Sequence, residues 1–322
     1  MRSRWLVLFS GMAIALPAFA QPAKAKAGSS KTWTAPRTPD GHPDLQGIWS
    51  NATVTPLERP ADLAGKAVLT DEEAAEFAQK TVQRNNADQR AGRGTDADVG
   101  LAYNDFWYDR GTKAIKTRRT SLIVDPPDGR LPALTPEAQS RAAARAEHRR
   151  EHPADGPEDR SLPERCLNWA TAGPPMLPSF YNNNYQIIQS PDTVVIFNEM
   201  IHDARVIPMD GRPHLPGTVR QWLGDSRGHW EGDTLVIETT NFTDKTAFRG
   251  SSPNMRLVEK FKRVDADTLL YEFTVDDPAA FTKPWTVQVP SVRSEGAIFE
   301  YACHEGNYAM TGMLSSARAE EK

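Results

Sequence analysis

The sequence predicts a mainly β fold, an antiparallel meander that closes into a barrel, with helices and long loops kept to its N-terminal half. Three observations lead there. From Tyr185 onward, apolar residues recur with a period of two. Tight-turn signals punctuate the same half, Gly232-Asp233 and Asp265-Ala266-Asp267 among them. The 25 prolines and 21 glycines favour loops and turns over long helices. A long meander of this kind buries its faces by closing into a barrel or by folding into a sandwich.

The first twenty residues read as a signal peptide. Arg2 and Arg4 form a basic start, an apolar run follows, and Ala18-Phe19-Ala20 offers small residues at the cleavage positions. The mature chain should begin near Gln21. That apolar run is short of the roughly 20 residues a spanning helix needs, and no later segment supplies them. The expectation is a periplasmic or secreted protein without a membrane span. Residues 21–37 read as a flexible leader, 38–317 as one mainly β domain with helical insertions near 70–80 and 135–150, and 318–322 as a tail. Losing Arg2 and Arg4 takes the formal charge from -4 to -6, which argues against a nucleic-acid partner.

Within the first half, Gly47-Ile48-Trp49 carries a glycine and a tryptophan where a first strand would begin. That pattern resembles the opening strand of lipocalin-like barrels. A tryptophan that simply plugs a core fits it equally well. Thr70 and Glu73 form a capping box for a surface helix. Residues 85–100 are polar and read as a loop. Residues 120–124 read as a strand stopped by the turn Asp125-Pro126-Pro127-Asp128-Gly129. A second helix starts at Thr135 with Pro136 at its first position and runs to about Arg150, without an apolar stripe.

In the β half, strands are expected at 186–189, 194–199 and 204–208. Two hairpins follow: 228–242, turning through a II′ pair at Gly232-Asp233, and 257–275. Strands at 285–292 and 297–303 complete the series, and Asn307 can cap a short C-terminal helix. The two cysteines, Cys166 and Cys303, would pair in an oxidising compartment; buried free thiols are the alternative. A bridge closing so long a loop is worth on the order of 4 kcal/mol in the chain-entropy model.

Three motifs suggest chemistry. Gly224-Asp225-Ser226-Arg227-Gly228 matches the G-x-S-x-G nucleophile elbow, but a hairpin follows it where the elbow needs a helix. His148-Arg149-Arg150-Glu151-His152 matches H-x-x-E-H, yet this helix is polar all round and stops at Pro153, with no dry cavity for a catalytic zinc. The third candidate is dispersed. His202, Asp203 and Arg205 fall at a turn between strands after Glu199, and His304 and Glu305 fall where the last strand should end. Strand ends of a barrel gather at its mouth, where ligands bind. An imidazole beside a carboxylate can act as an acid or base near neutral pH, and two His with Glu could equally hold a divalent metal. The alternative is that all are hydrogen-bonded turn residues. Trp107, Tyr108, Trp222 and Trp230 would suit apolar ligand walls, with Asn307 beside them, though each aromatic also suits a core. P-loop, dinucleotide, CxxC and EF-hand motifs do not occur, so no organic cofactor is expected.

The blocks TPDGHPDLQGIW, NEMIHDARVIPMDGRPH, GHWEGDTLVIETTNF and DDPAAFTKPW resemble a large family of exported bacterial proteins, over residues 38–317. The resemblance brings no established activity and so no catalytic residues. In a related branch the segment matching 198–205 is similar, with a Glu and an Arg but no His-Asp pair. This implies that Glu199 and Arg205 belong to the shared scaffold and that His202 and Asp203 are an addition.

Two function classes emerge. One is an exported enzyme, a hydrolase or lyase acting on a small, partly apolar organic molecule. His202 would be its base or metal ligand, Asp203 its orienter, Arg205 the anion stabiliser, and His304 with Glu305 the second acid/base pair. The other is a non-catalytic periplasmic carrier with a small-ligand cavity. A third, an envelope interaction protein, would show an exposed apolar patch instead.

Overall fold

Ten strands form one antiparallel sheet: β1 (Gly47–Ser50), β2 (Ile123–Asp125), β3 (Asn184–Ser190), β4 (Thr193–Asn198), β5 (Ala204–Pro208), β6 (Asp225–Glu231), β7 (Thr234–Thr240), β8 (Arg256–Arg263), β9 (Thr268–Asp276) and β10 (Trp285–Arg293). Nine of them run in the order β5-β4-β3-β1-β10-β9-β8-β7-β6, and β2 pairs with β10 beside β1. The sheet curls until β5 and β6 lie side by side, giving a nearly closed, lipocalin-like barrel. Gly228 permits that approach, because a Cβ there would sit 2.3 Å from Met209 Sδ of the facing segment. The computed structural model describes residues 33–89, 104–246 and 248–321, and Thr34–Lys322 forms one compact unit. The expected signal peptide, most of the leader and most of the polar stretch 85–100 lie outside the described residues.

Alternation dictates the interior. Leu257, Glu259 and Phe261 of β8, Leu269, Tyr271 and Phe273 of β9, and Val287, Val289 and Ser291 of β10 are all fully buried. Trp49 fills the far part of this core, its indole N–H donating to the Leu45 carbonyl at 2.9 Å. The Arg293 guanidinium lies over its ring at 4.9 Å. Gly47 has φ 130°, and a Cβ there would come 2.9 Å from the same guanidinium, so the glycine and the tryptophan are spaced for one packing arrangement. The hairpin from β6 to β7 turns through Gly232 at φ 57°, the positive φ that the first central residue of a II′ turn requires.

Among the described residues, three α-helices decorate the barrel: α1 (Asp71–Asn85), α2 (Pro136–Glu151) and α3 (Tyr308–Glu320). Thr70 and Glu73 cap α1 reciprocally, and Asn307 caps α3. Cys166 and Cys303 are bonded across 137 residues, anchoring the segment that leads into α3. Two expectations are corrected. Residues 297–303 form no strand, because β9 occupies one side of β10 while β1 and β2 share the other, leaving no edge to join. The tail expected at 318–322 is instead largely the last turn of α3.

The antiparallel order sends β4 and β7 towards one end of the barrel, the end from which β5, β6, β8 and β10 start. Residues 171–177 close it. All seven are buried, the Met176 amide donates to the Tyr271 hydroxyl at 3.1 Å, and Asn198 Nδ2 donates to the Ala172 carbonyl at 3.1 Å. The barrel is plugged by its own chain.

Candidate functional site

The residues singled out from the sequence fall into separate environments. Arg205 points into the barrel and makes a two-pronged pair with Glu259, Nη1 to Oε2 at 2.6 Å and Nη2 to Oε1 at 3.1 Å. Glu259 is fully buried and also accepts from the Tyr271 hydroxyl at 2.7 Å. Burial and the Glu259 charge push the Tyr271 phenol well above its ordinary pKa. Arg205 is thereby committed to the lumen.

His202 and Ile201 occupy the turn from β4 to β5 at φ 59° and 66°. A β-branched residue in that region is strained, and such strain persists only where packing over-determines it. The His202 ring meets Phe197 edge-on at 4.6 Å, and its buried Nδ1 has no hydrogen-bond partner. Asp203 is exposed, its carboxylate accepting from the Ala204 amide at 2.8 Å. Glu199, which is buried, accepts from Asn184 Nδ2 at 2.8 Å and the Phe299 amide at 3.3 Å. His304 and Glu305 lie exposed in the turn before α3, and Asn307 Nδ2 donates to the Glu164 carbonyl at 3.0 Å. Among the described residues, no group of three His, Cys, Asp or Glu is placed to hold a metal ion.

The aromatics divide likewise. Trp107 is exposed against Phe106, Tyr108 packs edge-on to Phe180 beneath Arg110, and Trp230 stacks on His42 at 4.9 Å. Trp222 alone of the four lines a large hollow. Of the two local motifs, Ser226 turns its hydroxyl into the barrel against Thr239 at 2.9 Å. His148 and His152 are each taken by their own carboxylate, Asp159 at 3.2 Å and Asp155 at 2.6 Å.

That hollow is a cleft of about 1120 Å³ on the outer side of the plugged end. Residues 144–149 of α2 form one wall, residues 158–177 the second, and Trp222 with residues 242–246 and 248–249 the third. Sequence explains why each wall stands there. Helix α2 starts at the Thr135 cap, whose amide donates to the Ala280 carbonyl at 2.9 Å, and buries only Ala138, so its charged side is free to face the cleft. The disulfide fixes the second wall. In the third, Phe248 stacks on the buried Trp285 at 5.9 Å, and Arg249 follows at φ 53°. The Arg165 guanidinium and the Lys245 ammonium flank the Trp222 ring at 5.7 and 5.9 Å.

One cluster was missed in the sequence. His214 Nδ1 lies 2.9 Å from Asp225 Oδ2, while Asp225 Oδ1 accepts from Arg227 at 2.7 Å. Burial opposes ionisation of Asp225, but hydrogen bonds from the Leu215 amide and His214 and the Arg227 charge outweigh it, holding the carboxyl below its ordinary range. Only the alternation of β6, which puts Asp225 and Arg227 on one outer face, could have signalled the pairing. A depressed carboxyl contributes stability that is complete above its unfolded pKa and lost as pH falls through its folded one. Asp225→Asn should therefore cost about 1–3 kcal/mol at neutral pH and flatten the acid limb of melting temperature against pH. Identical acid limbs in the two proteins would remove Asp225 from the stability balance.

Comparison with known proteins gives no match to a family model, a curated protein or a solved structure. No described helix is long and apolar enough to cross a membrane.

Proposed function

We propose that this is an exported, non-catalytic binding protein that holds a small, partly apolar molecule in the cleft at the plugged end of its barrel. The cleft carries the reading. Its volume of about 1120 Å³ is at or just above the upper end of the roughly 300–1,000 Å³ typical of ligand pockets. Leu162, Leu177, Pro174, Trp222 and Phe248 give it apolar walls. Within the barrel, the inward side chains of β8, β9 and β10 and residues 171–177 are buried against one another. Export rests on the basic, apolar and small-residue order of the first twenty residues.

Turnover draws less support than binding. Acid/base hydrolysis or elimination would need His202, Asp203 and Arg205 to act together, yet Arg205 is paired with Glu259 and Asp203 turns back on its own backbone. A divalent metal held by His202, His304 and Glu305 has no assembled donor set among the described residues to support it.

The test is a thermal-shift screen of small amphipathic molecules against wild type and Trp222→Ala. A true ligand raises the melting temperature by mass action. Its affinity should fall about tenfold or more in the variant, as for a central aromatic contact, and it should be recovered unchanged by mass spectrometry. Shifts insensitive to Trp222→Ala would place binding elsewhere. Steady conversion of the ligand would replace the carrier by an enzyme.

A further inference from the structure

Resting on that assignment of the cleft, we infer that its ligand is a flat organic carboxylate, recognised by cations that have no carboxylate of their own. Six cationic side chains line the cleft, Arg145, Arg149, Arg160, Arg165, Lys245 and Arg249, against three carboxylates, Glu158, Asp159 and Asp244. The excess is local, because the whole chain is net negative at -4. A cationic hollow on a negative protein focuses its field and draws anions in.

The pairing within the cleft is uneven. Glu158 serves two cations, Arg165 at 2.9 Å and Lys245 at 3.9 Å. Asp159 is engaged by His148 and the Gly156 amide. Arg145 donates to the Asp244 backbone carbonyl at 2.9 Å. Arg160 meets Glu164, which stands outside the cleft lining, and its buried Nε has no partner. Among the described residues Arg149 and Arg249 pair with no carboxylate. Arg249 holds a left-handed conformation, φ 53° and ψ 28°, and lines both this cleft and an adjoining hollow of about 380 Å³. A non-glycine residue kept there stores strain of a kind that collects at ligand clamps.

Size and walls set the rest of the ligand. Inorganic phosphate or sulfate would leave most of the volume empty and the Trp222, Phe248 and Leu177 surfaces wet. A flat apolar body would cover the Trp222 ring while its carboxylate meets the guanidinium forks, whose planar geometry suits two-pronged binding.

The probes are 2-naphthoate, 2-naphthalenemethanol and 2-naphthylmethylamine, three molecules of one shape and different charge, titrated calorimetrically into the full chain. The naphthoate should bind about tenfold or more tightly than the alcohol, the amine weakest, with the advantage shrinking as salt rises. Arg149→Gln/Arg249→Gln removes the two exposed cations that, among the described residues, pair with no carboxylate and should weaken naphthoate about tenfold while leaving the alcohol unchanged. Glu158→Gln should tighten naphthoate severalfold, the opposite of what a merely structural glutamate would do. Equal affinity for alcohol and naphthoate overturns the anion assignment and leaves the cleft as a binding site. Naphthoate binding untouched by all the substitutions, Trp222→Ala included, overturns the site as well. If naphthoate fails to bind while a neutral molecule binds in a Trp222-dependent way, the carboxylate class falls and the carrier reading stands.

Discussion

Arg205→Ala should destabilise the fold by about 3–5 kcal/mol, the largest single-residue effect expected in this protein. The reason is the partner left behind. Glu259 is fully buried, and without the guanidinium only the Tyr271 hydroxyl, among the described residues, would still donate to it. An uncompensated buried carboxylate either remains charged at high cost or takes up a proton, so the variant should regain stability as pH falls. Arg205→Met with Glu259→Leu removes both charges and should cost far less, because the pair's own net contribution is small once desolvation is counted. Urea denaturation of the three proteins at pH 7 measures this. A loss below about 1 kcal/mol for Arg205→Ala, the level of an exposed ion pair, would mean that water reaches Glu259. Ligand binding in the cleft should survive the double replacement, separating this interior pair from the site outside.

Removing the disulfide should rank with it. Cys166→Ala/Cys303→Ala releases a loop of 137 residues, and loss of a native bridge typically costs about 2–5 kcal/mol. The position matters as well as the loop. Cys166 belongs to the stretch that builds one wall of the cleft, and Cys303 leads into α3, whose Arg318 donates to the Ala154 and Asp155 carbonyls. The double variant should therefore lose cleft ligand as well as melting temperature, and reduced wild type should behave the same way. A variant that melts lower but binds unchanged would mean that Arg160, Arg318 and the other contacts hold that wall unaided.

The barrel was legible because its signals are local. Period-two alternation, the Gly232-Asp233 turn, the Thr70 capping box and the Gly47-x-Trp49 spacing all reappear as strands, turn, cap and core packing. The disulfide followed from two cysteines read together with the expected export of the chain. What was not legible depends on register. Leu257, Glu259 and Phe261 alternate inward, so a charged residue stood on the core face of β8 in plain sequence, and Arg205 shares its face with Ile207. Only the pairing of β4, β5 and the closing strands says that the two meet. The expected strand at 297–303 misled for the same reason: its composition suits a strand, but both sides of the preceding β10 were already taken by β9 and by β1 with β2. The cleft escaped because its walls come from α2, the loop before β3, and the connection from β7 to β8. No periodicity spans such segments. Of the aromatic candidates Trp222 alone led to it, and His148 and Arg149 of the H-x-x-E-H motif line it as well.

Hydrogen–deuterium exchange on the full chain, with and without bound 2-naphthoate, tests the central claim most directly. Protection is expected within residues 158–177 and 242–249 and in the last turns of α2, with β5, β8 and β9 unchanged. Protection on β5 and β8 around Arg205 and Glu259, together with faster exchange in residues 171–177, would mean that the plug leaves and the ligand enters the barrel, contradicting the cleft as its site.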